Sequence, residues 1–202
     1  MVRVLLGFWY DVQMDIEHEL RILEINPEQI EDTILKLGGK KIHERIMQRR
    51  YTYNVNPETR NKWVRLRTNG KTTTLAIKHV GGEGISDTKE IEIEVSDFET
   101  TANLLEEMGV KAKSYQENYR TLFELDGAEI MLDEWPLIPP YIEIEAATPE
   151  LVAETIKKMD FEEDKATGLD VSSVYEQVYK IDIDKMPELK FNSSPLKIAP
   201  QG

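Results

Sequence analysis

Glu90-Ile91-Glu92-Ile93-Glu94-Val95 alternates acidic and aliphatic side chains without a break. A strand sends successive side chains to opposite faces, so this stretch puts its carboxylates on one side and its branched aliphatics on the other. The same alternation occurs in Glu17-His18-Glu19-Leu20-Arg21-Ile22 and in Tyr141-Ile142-Glu143-Ile144-Glu145. Each of the three is followed by a polar turn and an amphipathic stretch with apolar residues three or four apart: Ile30, Ile34 and Leu37; Leu105 and Met108; Val152, Ile156 and Met159. These positions predict helices packed on a sheet. One strand–turn–helix plan therefore occurs three times.

The helix starts have local causes. Asn26, Ser96 or Asp97, and Thr148 can cap the free N–H groups, proline follows the first and third caps, and Gln29 and Glu99 complete capping boxes. Gly38 and Gly109 fit helix ends that need a positive φ. Further alternating runs lie at 49–54, 63–67, 73–78, 114–125 and 128–133. Asn69-Gly70 and Asp126-Gly127 make good hairpin turns, and Gly81-Gly82-Glu83-Gly84 reads as a hairpin loop. The prediction is an α+β fold of eight strands, mostly antiparallel. One domain spans 14–184, between an N-terminal extension (1–13) and a flexible C-terminal tail (185–202).

The charged faces extend beyond the E-x-E strands. Arg65 and Arg67 oppose Val64 and Leu66, Lys78 opposes Leu75 and Ile77, and Asp133 opposes Leu132 and Ile130. A solvated sheet face accounts for any one of these strands. It does not explain why glutamate and arginine recur where serine, asparagine or threonine would serve. Closing the sheet into an antiparallel β-barrel, a tunnel, gathers these side chains into a polar, charged interior with the helices packed outside. Inside it the carboxylates of Glu17, Glu19, Glu90, Glu92, Glu94, Asp133, Glu143 and Glu145 outnumber the cations of Arg21, Arg65, Arg67, Lys78 and Arg120. Crowded carboxylates ionise together only with cations among them, and Mg²⁺ or Mn²⁺ prefers oxygen ligands and bridges carboxylates to phosphates. The expected ligand is a short polyphosphate held by the arginines and the lysine.

Composition narrows the alternatives. The chain has 202 residues, a formal charge of −13 and no cysteine. Thiolate metal sites, disulfides and cysteine nucleophiles are excluded. The acidic surplus disfavours general nucleic-acid binding and anionic membranes. The apolar stretch at residues 4–10 is too short to span a bilayer and lacks a cleavage site, so a cytoplasmic protein is expected. The sequence contains no Walker A loop, dinucleotide fingerprint or H-E-x-x-H pair. His18, His43 and His79 are scattered, and Tyr51, Tyr53, Trp63 and Trp135 read as packing residues that could also stack a base. Ser172-Ser173 precede an expected terminal helix at 174–179 that could cover a tunnel mouth.

In these residues the sequence resembles the CYTH superfamily, the triphosphate tunnel metalloenzymes, which include class IV adenylyl cyclases, thiamine triphosphatases and inorganic triphosphatases. The family's opening E-x-E-x-K reads Glu17-His18-Glu19-Leu20-Arg21 here, with arginine in place of lysine. Its R-x-R strand resembles Arg65-Leu66-Arg67, its following lysine Lys78, and its central acidic strand Glu92 and Glu94. Of its later Lys-Arg pair only Arg120 remains, after Tyr119, and its metal-binding aspartate with E-x-E resembles Asp133, Glu143 and Glu145.

The resemblance implies metal-dependent hydrolysis of a triphosphate: inorganic tripolyphosphate, thiamine triphosphate or a nucleoside triphosphate. Glu17, Glu19, Asp133, Glu143 and Glu145 would be metal ligands for Mg²⁺ or Mn²⁺. Arg21, Arg65, Arg67, Lys78 and Arg120 would bind phosphate, with Glu92 and Glu94 beside them, and Glu17, Glu19, Arg21 and Lys78 would be closest to the chemistry. An adenylyl cyclase making cyclic AMP and pyrophosphate would use the same grip, as would a triphosphate-binding module without turnover. A homodimer is compatible with either.

Overall fold

A computed structural model of the chain describes residues 15–55, 62–80 and 86–193, with the backbone alone for 15–17, 80 and 86–88. The expected extension at 1–13, the glycine-rich loop at 81–84 and the last part of the tail lie outside these residues.

Eight longer strands dominate: β1 (Asp15–Ile22), β2 (Lys40–Asn54), β3 (Lys62–Thr68), β4 (Thr73–Val80), β5 (Ser86–Val95), β6 (Ala112–Leu125), β7 (Ala128–Glu134) and β8 (Tyr141–Ala146). Helices α1 (Pro27–Lys36), α2 (Phe98–Glu107) and α3 (Pro149–Lys158) follow β1, β5 and β8, so the threefold plan is the fold's own. The two-residue strands β9 (Ala166–Thr167) and β10 (Glu188–Leu189) join the same sheet, β9 against β1 and β10 against β6. The sheet therefore has ten strands, not the eight expected, and β10 runs parallel to β6. Two-residue strands are too short to carry any alternation in sequence.

The order along the sheet is β10-β6-β2-β3-β4-β5-β1-β8-β7, and β7 also pairs antiparallel with β6. The three E-x-E strands β5, β1 and β8 are thus neighbours. In register, Glu19 lies opposite Glu145, and Arg21 opposite Glu143.

Capping follows the sequence closely. Asn26 Oδ1 accepts from Gln29 N, and Thr148 Oγ1 accepts from Leu151 N. At α2 the cap is Asp97, which accepts from Thr100 N, so the Ser96–Glu99 box is not formed. Asp126 and Gly127, both at positive φ, make the β6–β7 turn.

The aliphatic faces of β1, β6, β7 and β8 pack beneath α1 and α3, where Ile34, Phe123, Ile130, Ile142, Ile144 and Val152 are fully buried. Helix α2 covers Leu66 and Tyr53 with Phe98, and the Tyr51 ring stacks on Phe98. Coverage is incomplete on this side. Ile93 and Met108, both expected in the core, are 55% and 68% exposed, Met108 at the C-cap of α2.

A third cluster holds Trp135, Tyr141, Tyr175, Ile183, Met186 and Leu189. Ordered packing therefore continues past residue 184. The terminal segment is one short turn, α4 (Val171–Ser173), running into a π-helical turn at 174–178, in place of a regular helix. Among the described residues no helix is long and apolar enough to cross a membrane.

Candidate active site

Because the aliphatic side chains of the sheet turn toward the helices, the charged ones share the opposite face. All eight longer strands contribute to a cavity of about 490 Å³ on that face, which residues 170–172 and 183–184 also border. Glu19, Arg21, Arg65, Arg67, Lys78, Glu90, Glu92, Arg120, Glu143 and Glu145 all line it. Glu94 is exposed and does not. Glu17 belongs to β1, but its side chain is outside the described residues.

On the β1–β8 side, oxygen atoms of Glu19, Glu143 and Glu145 lie within 4.8 Å of one another. Arg21 sits among them, its Nη2 3.3 Å from Glu19 and 2.5 Å from Glu143, while its Nη1 donates to the Leu169 carbonyl at 2.8 Å. Burial alone would push the Glu143 carboxyl up, but Arg21, Arg120 and Lys78 reverse this and hold it at about 2. Arg21 is held above the usual guanidinium range, since Glu143 and Glu19 outweigh the opposing effect of burial.

Asp133 stands apart from this trio. It is fully buried, and Arg120 takes both its oxygens, Nε to Oδ1 at 2.8 Å and Nη2 to Oδ2 at 2.6 Å, while Asn118 Nδ2 adds a third bond at 3.2 Å. The sequence grouped Asp133 with the other acids because its strand alternates in phase with theirs. Its partner across the β6–β7 ladder is Arg120, which diverts it.

The β2–β3–β4 side is basic. Arg65 Nη2 bonds Glu90 and Glu92, each at 2.9 Å, Arg67 Nη2 reaches Glu92 at 3.5 Å, and Lys78 Nζ is 2.6 Å from Glu90. Burial would raise the Glu90 carboxyl, but Arg65, Lys78 and Arg67 together outweigh it and lower it. Arg67 is pushed down to about 9, first by Arg65, then by burial and by Arg120. Guanidinium groups crowded this way repel one another, and an anion among them relieves the repulsion.

Sequence reasoning missed Arg50, which lies on β2 opposite Arg67. It is buried and lines the cavity, yet the run at 49–54 opens on two adjacent arginines, one on each face, and charge does not mark which of them turns inward. Gln116, Ser114, Lys113 and Asp184 also border the cavity, at positions where the sequence shows no acid–base pattern. Trp63, Trp135 and Tyr53 line the cavity, Tyr53 also packing under α2 beside Tyr51.

A family model for the CYTH domain matches residues 15–175. The chain belongs to the CYTH family. No curated protein matches it in sequence. Among solved structures it is similar to a conserved hypothetical protein from Pyrococcus furiosus, with 21% identity over 74% of this chain and 94% of that one, at a TM-score of 0.65. An adenylate cyclase candidate from Vibrio parahaemolyticus shares 14% identity over 81% of this chain and 99% of its own, at 0.69. The Hippeastrum protein HpAC1, an adenylyl cyclase candidate with a dominant triphosphatase activity, shares 17% over 81% and 96%, at 0.51. At these identities the likeness is one of fold.

Proposed function

We propose that the protein is a divalent-metal-dependent triphosphatase that holds its substrate in a charged tunnel through the sheet. The observation that carries this reading is the division of one cavity wall into two chemistries. Glu19, Glu143 and Glu145 converge on one side, while Arg65, Arg67 and Lys78 crowd the other. A tunnel is supported by β6, which is hydrogen-bonded to both β2 and β7.

The carboxylate trio is an all-oxygen donor set that fits a hard divalent cation such as Mg²⁺ or Mn²⁺. Such an ion polarises phosphoryl oxygens and activates water. Arg65, Arg67 and Lys78 bind the phosphate chain from the facing side, and Glu90 and Glu92 hold those cations in place through their ion pairs. Arg21, poised between Glu19 and Glu143, stabilises charge that builds on the leaving oxygen. The triphosphatase activity of HpAC1 agrees with this reading.

The test is purified protein incubated with tripolyphosphate, thiamine triphosphate or ATP in Mg²⁺ or Mn²⁺. Orthophosphate release from at least one, abolished by EDTA, is expected. Cyclic AMP from ATP without orthophosphate would replace hydrolase by cyclase. Binding without any turnover would make the protein a triphosphate-binding module.

A further inference from the structure

Among the described residues, Arg50 is the one guanidinium on the cavity wall with neither a carboxylate partner nor a role in the proposed reading. Its Nη2 donates to the amide oxygens of Gln48, at 3.2 Å, and Asn118, and its Nε is buried without an acceptor. The guanidinium lies 4.5 Å from the centroid of the Trp135 ring. Among the described residues no carboxylate comes within ion-pairing distance of it. Its link to an acid runs through Asn118, which passes a second hydrogen bond to Asp133, itself already occupied by Arg120.

Every other arginine on this wall reaches a carboxylate directly: Arg21 bonds Glu143, Arg65 bonds Glu90 and Glu92, Arg67 reaches Glu92 and Arg120 bonds Asp133. Burying a lone cation costs several kcal/mol unless something neutralises it. Burial is the main force depressing the Arg50 guanidinium well below its ordinary range, followed by Arg65, Arg67 and Arg120. Two amide oxygens and an indole face do not balance a full charge.

We propose that Arg50 is a further phosphate ligand, which with Arg67 on the neighbouring strand clamps one phosphoryl group of the polyphosphate chain. The two residues are direct cross-strand partners in the β2–β3 ladder, and both line the cavity. Directly opposite side chains on one face of an antiparallel pair start about 5 Å apart, close enough for two guanidinium groups to share one tetrahedral anion. Lys78 pairs in register with Trp63, four residues along β3 from Arg67, so the Arg50–Arg67 clamp grips a different part of the chain from Lys78. This assignment deepens the triphosphatase reading and rests on it.

The experiment is calorimetric titration, in Mg²⁺, with a methylene-bridged tripolyphosphate analogue that cannot be cleaved. Wild-type protein is compared with Arg50→Gln, Arg67→Gln and the double variant. Glutamine retains an N–H for the Gln48 and Asn118 oxygens while removing the charge. Each single substitution is expected to weaken Kd by roughly tenfold or more, and the double variant by less than the product, because both arginines hold the same group. The thermal midpoint of ligand-free Arg50→Gln should equal or exceed that of wild type, since an unpaired buried charge has gone.

An Arg50→Gln affinity within twofold of wild type, with Arg67→Gln impaired, overturns the assignment and leaves the triphosphatase reading standing. A lowered thermal midpoint with strictly multiplicative losses gives Arg50 a structural role and likewise overturns it. Folded wild-type protein that does not bind the analogue removes the underlying reading and the assignment together. Arg50→Lys provides a check independent of the folding of the glutamine variant: it keeps the charge but loses the planar fork, so an affinity roughly threefold or more below wild type is expected, and full wild-type affinity counts against the clamp.

Discussion

The two sides of the cavity solve opposite electrostatic problems in different ways. Around β1 and β8 the acids have a counter-charge of their own, Arg21, placed between Glu19 and Glu143 by the same E-x-E-x-R run that supplies one of those acids. Around β2 and β3 the cations outstrip their partners: Arg65 and Arg67 share Glu92, and Arg50 has two amide oxygens and an indole face. One side is anchored by a buried ion pair, Arg21–Glu143, and still sets three carboxylates against that one guanidinium, a surplus that a divalent cation would balance; the other stores repulsion that an anion discharges. The first should therefore dominate stability in the ligand-free protein, and the second should dominate affinity and turnover.

The largest effect that could break this contrast is catalytic. Arg65→Ala should reduce phosphate release from the preferred triphosphate by about a hundredfold or more, the usual cost of removing a donor that stabilises developing charge. A steady-state rate within threefold of wild type would remove the basic side from the chemistry. Next is Glu143→Gln, which leaves Arg21 and Arg120 facing a neutral amide. Loss of one partner of a buried pair costs about 3–5 kcal/mol, so chemical denaturation should show a drop of that size in ligand-free protein. Arg50→Gln should show none, and equal losses in the two variants would erase the asymmetry.

The pH dependence sharpens the same contrast. The Glu143 carboxyl lies at about 2 in the fold, against an ordinary 4.5, and Glu90 is lowered as well. Groups with depressed values contribute stability that is complete above the unfolded value and is lost as pH falls through the folded one. Ligand-free protein should thus hold its thermal midpoint down to about pH 4.5 and lose roughly 3 kcal/mol to Glu143 between there and pH 2. A midpoint that falls steeply already between pH 7 and 5 would assign acid sensitivity to other groups. The smallest effect lies outside the cavity: Thr148→Ala removes the Leu151 N–H acceptor at the start of α3 and should cost about 1 kcal/mol without altering turnover at saturating substrate.

Much of this was legible because alternation survives wherever a strand is regular. The E-x-E strands, the R-x-R strand, the caps at Asn26 and Thr148 and the Asp126-Gly127 turn all lie in such places. Legibility failed where the ladder is irregular. The first half of β2, Lys40 to Met47, shifts register against β6 between Lys41 and His43 and again between His43 and Ile46, and its sequence shows no clean alternation. Arg50 was lost for a related reason, since nothing in Gln48-Arg49-Arg50-Tyr51 says which arginine turns inward. Asp133 shows a different limit: alternation assigns a face but not the partner across the ladder, which here is Arg120. The strands β9 and β10 were invisible because two residues carry no period.

The hydrogen bond from Arg21 Nη1 to the Leu169 carbonyl ties the charge network to the segment that leads into Asp170, Val171 and Ser172 at the cavity border. One guanidinium thus holds the acids with one nitrogen and the backbone beside the cavity border with the other, so a substitution at Arg21 should be felt in both places at once.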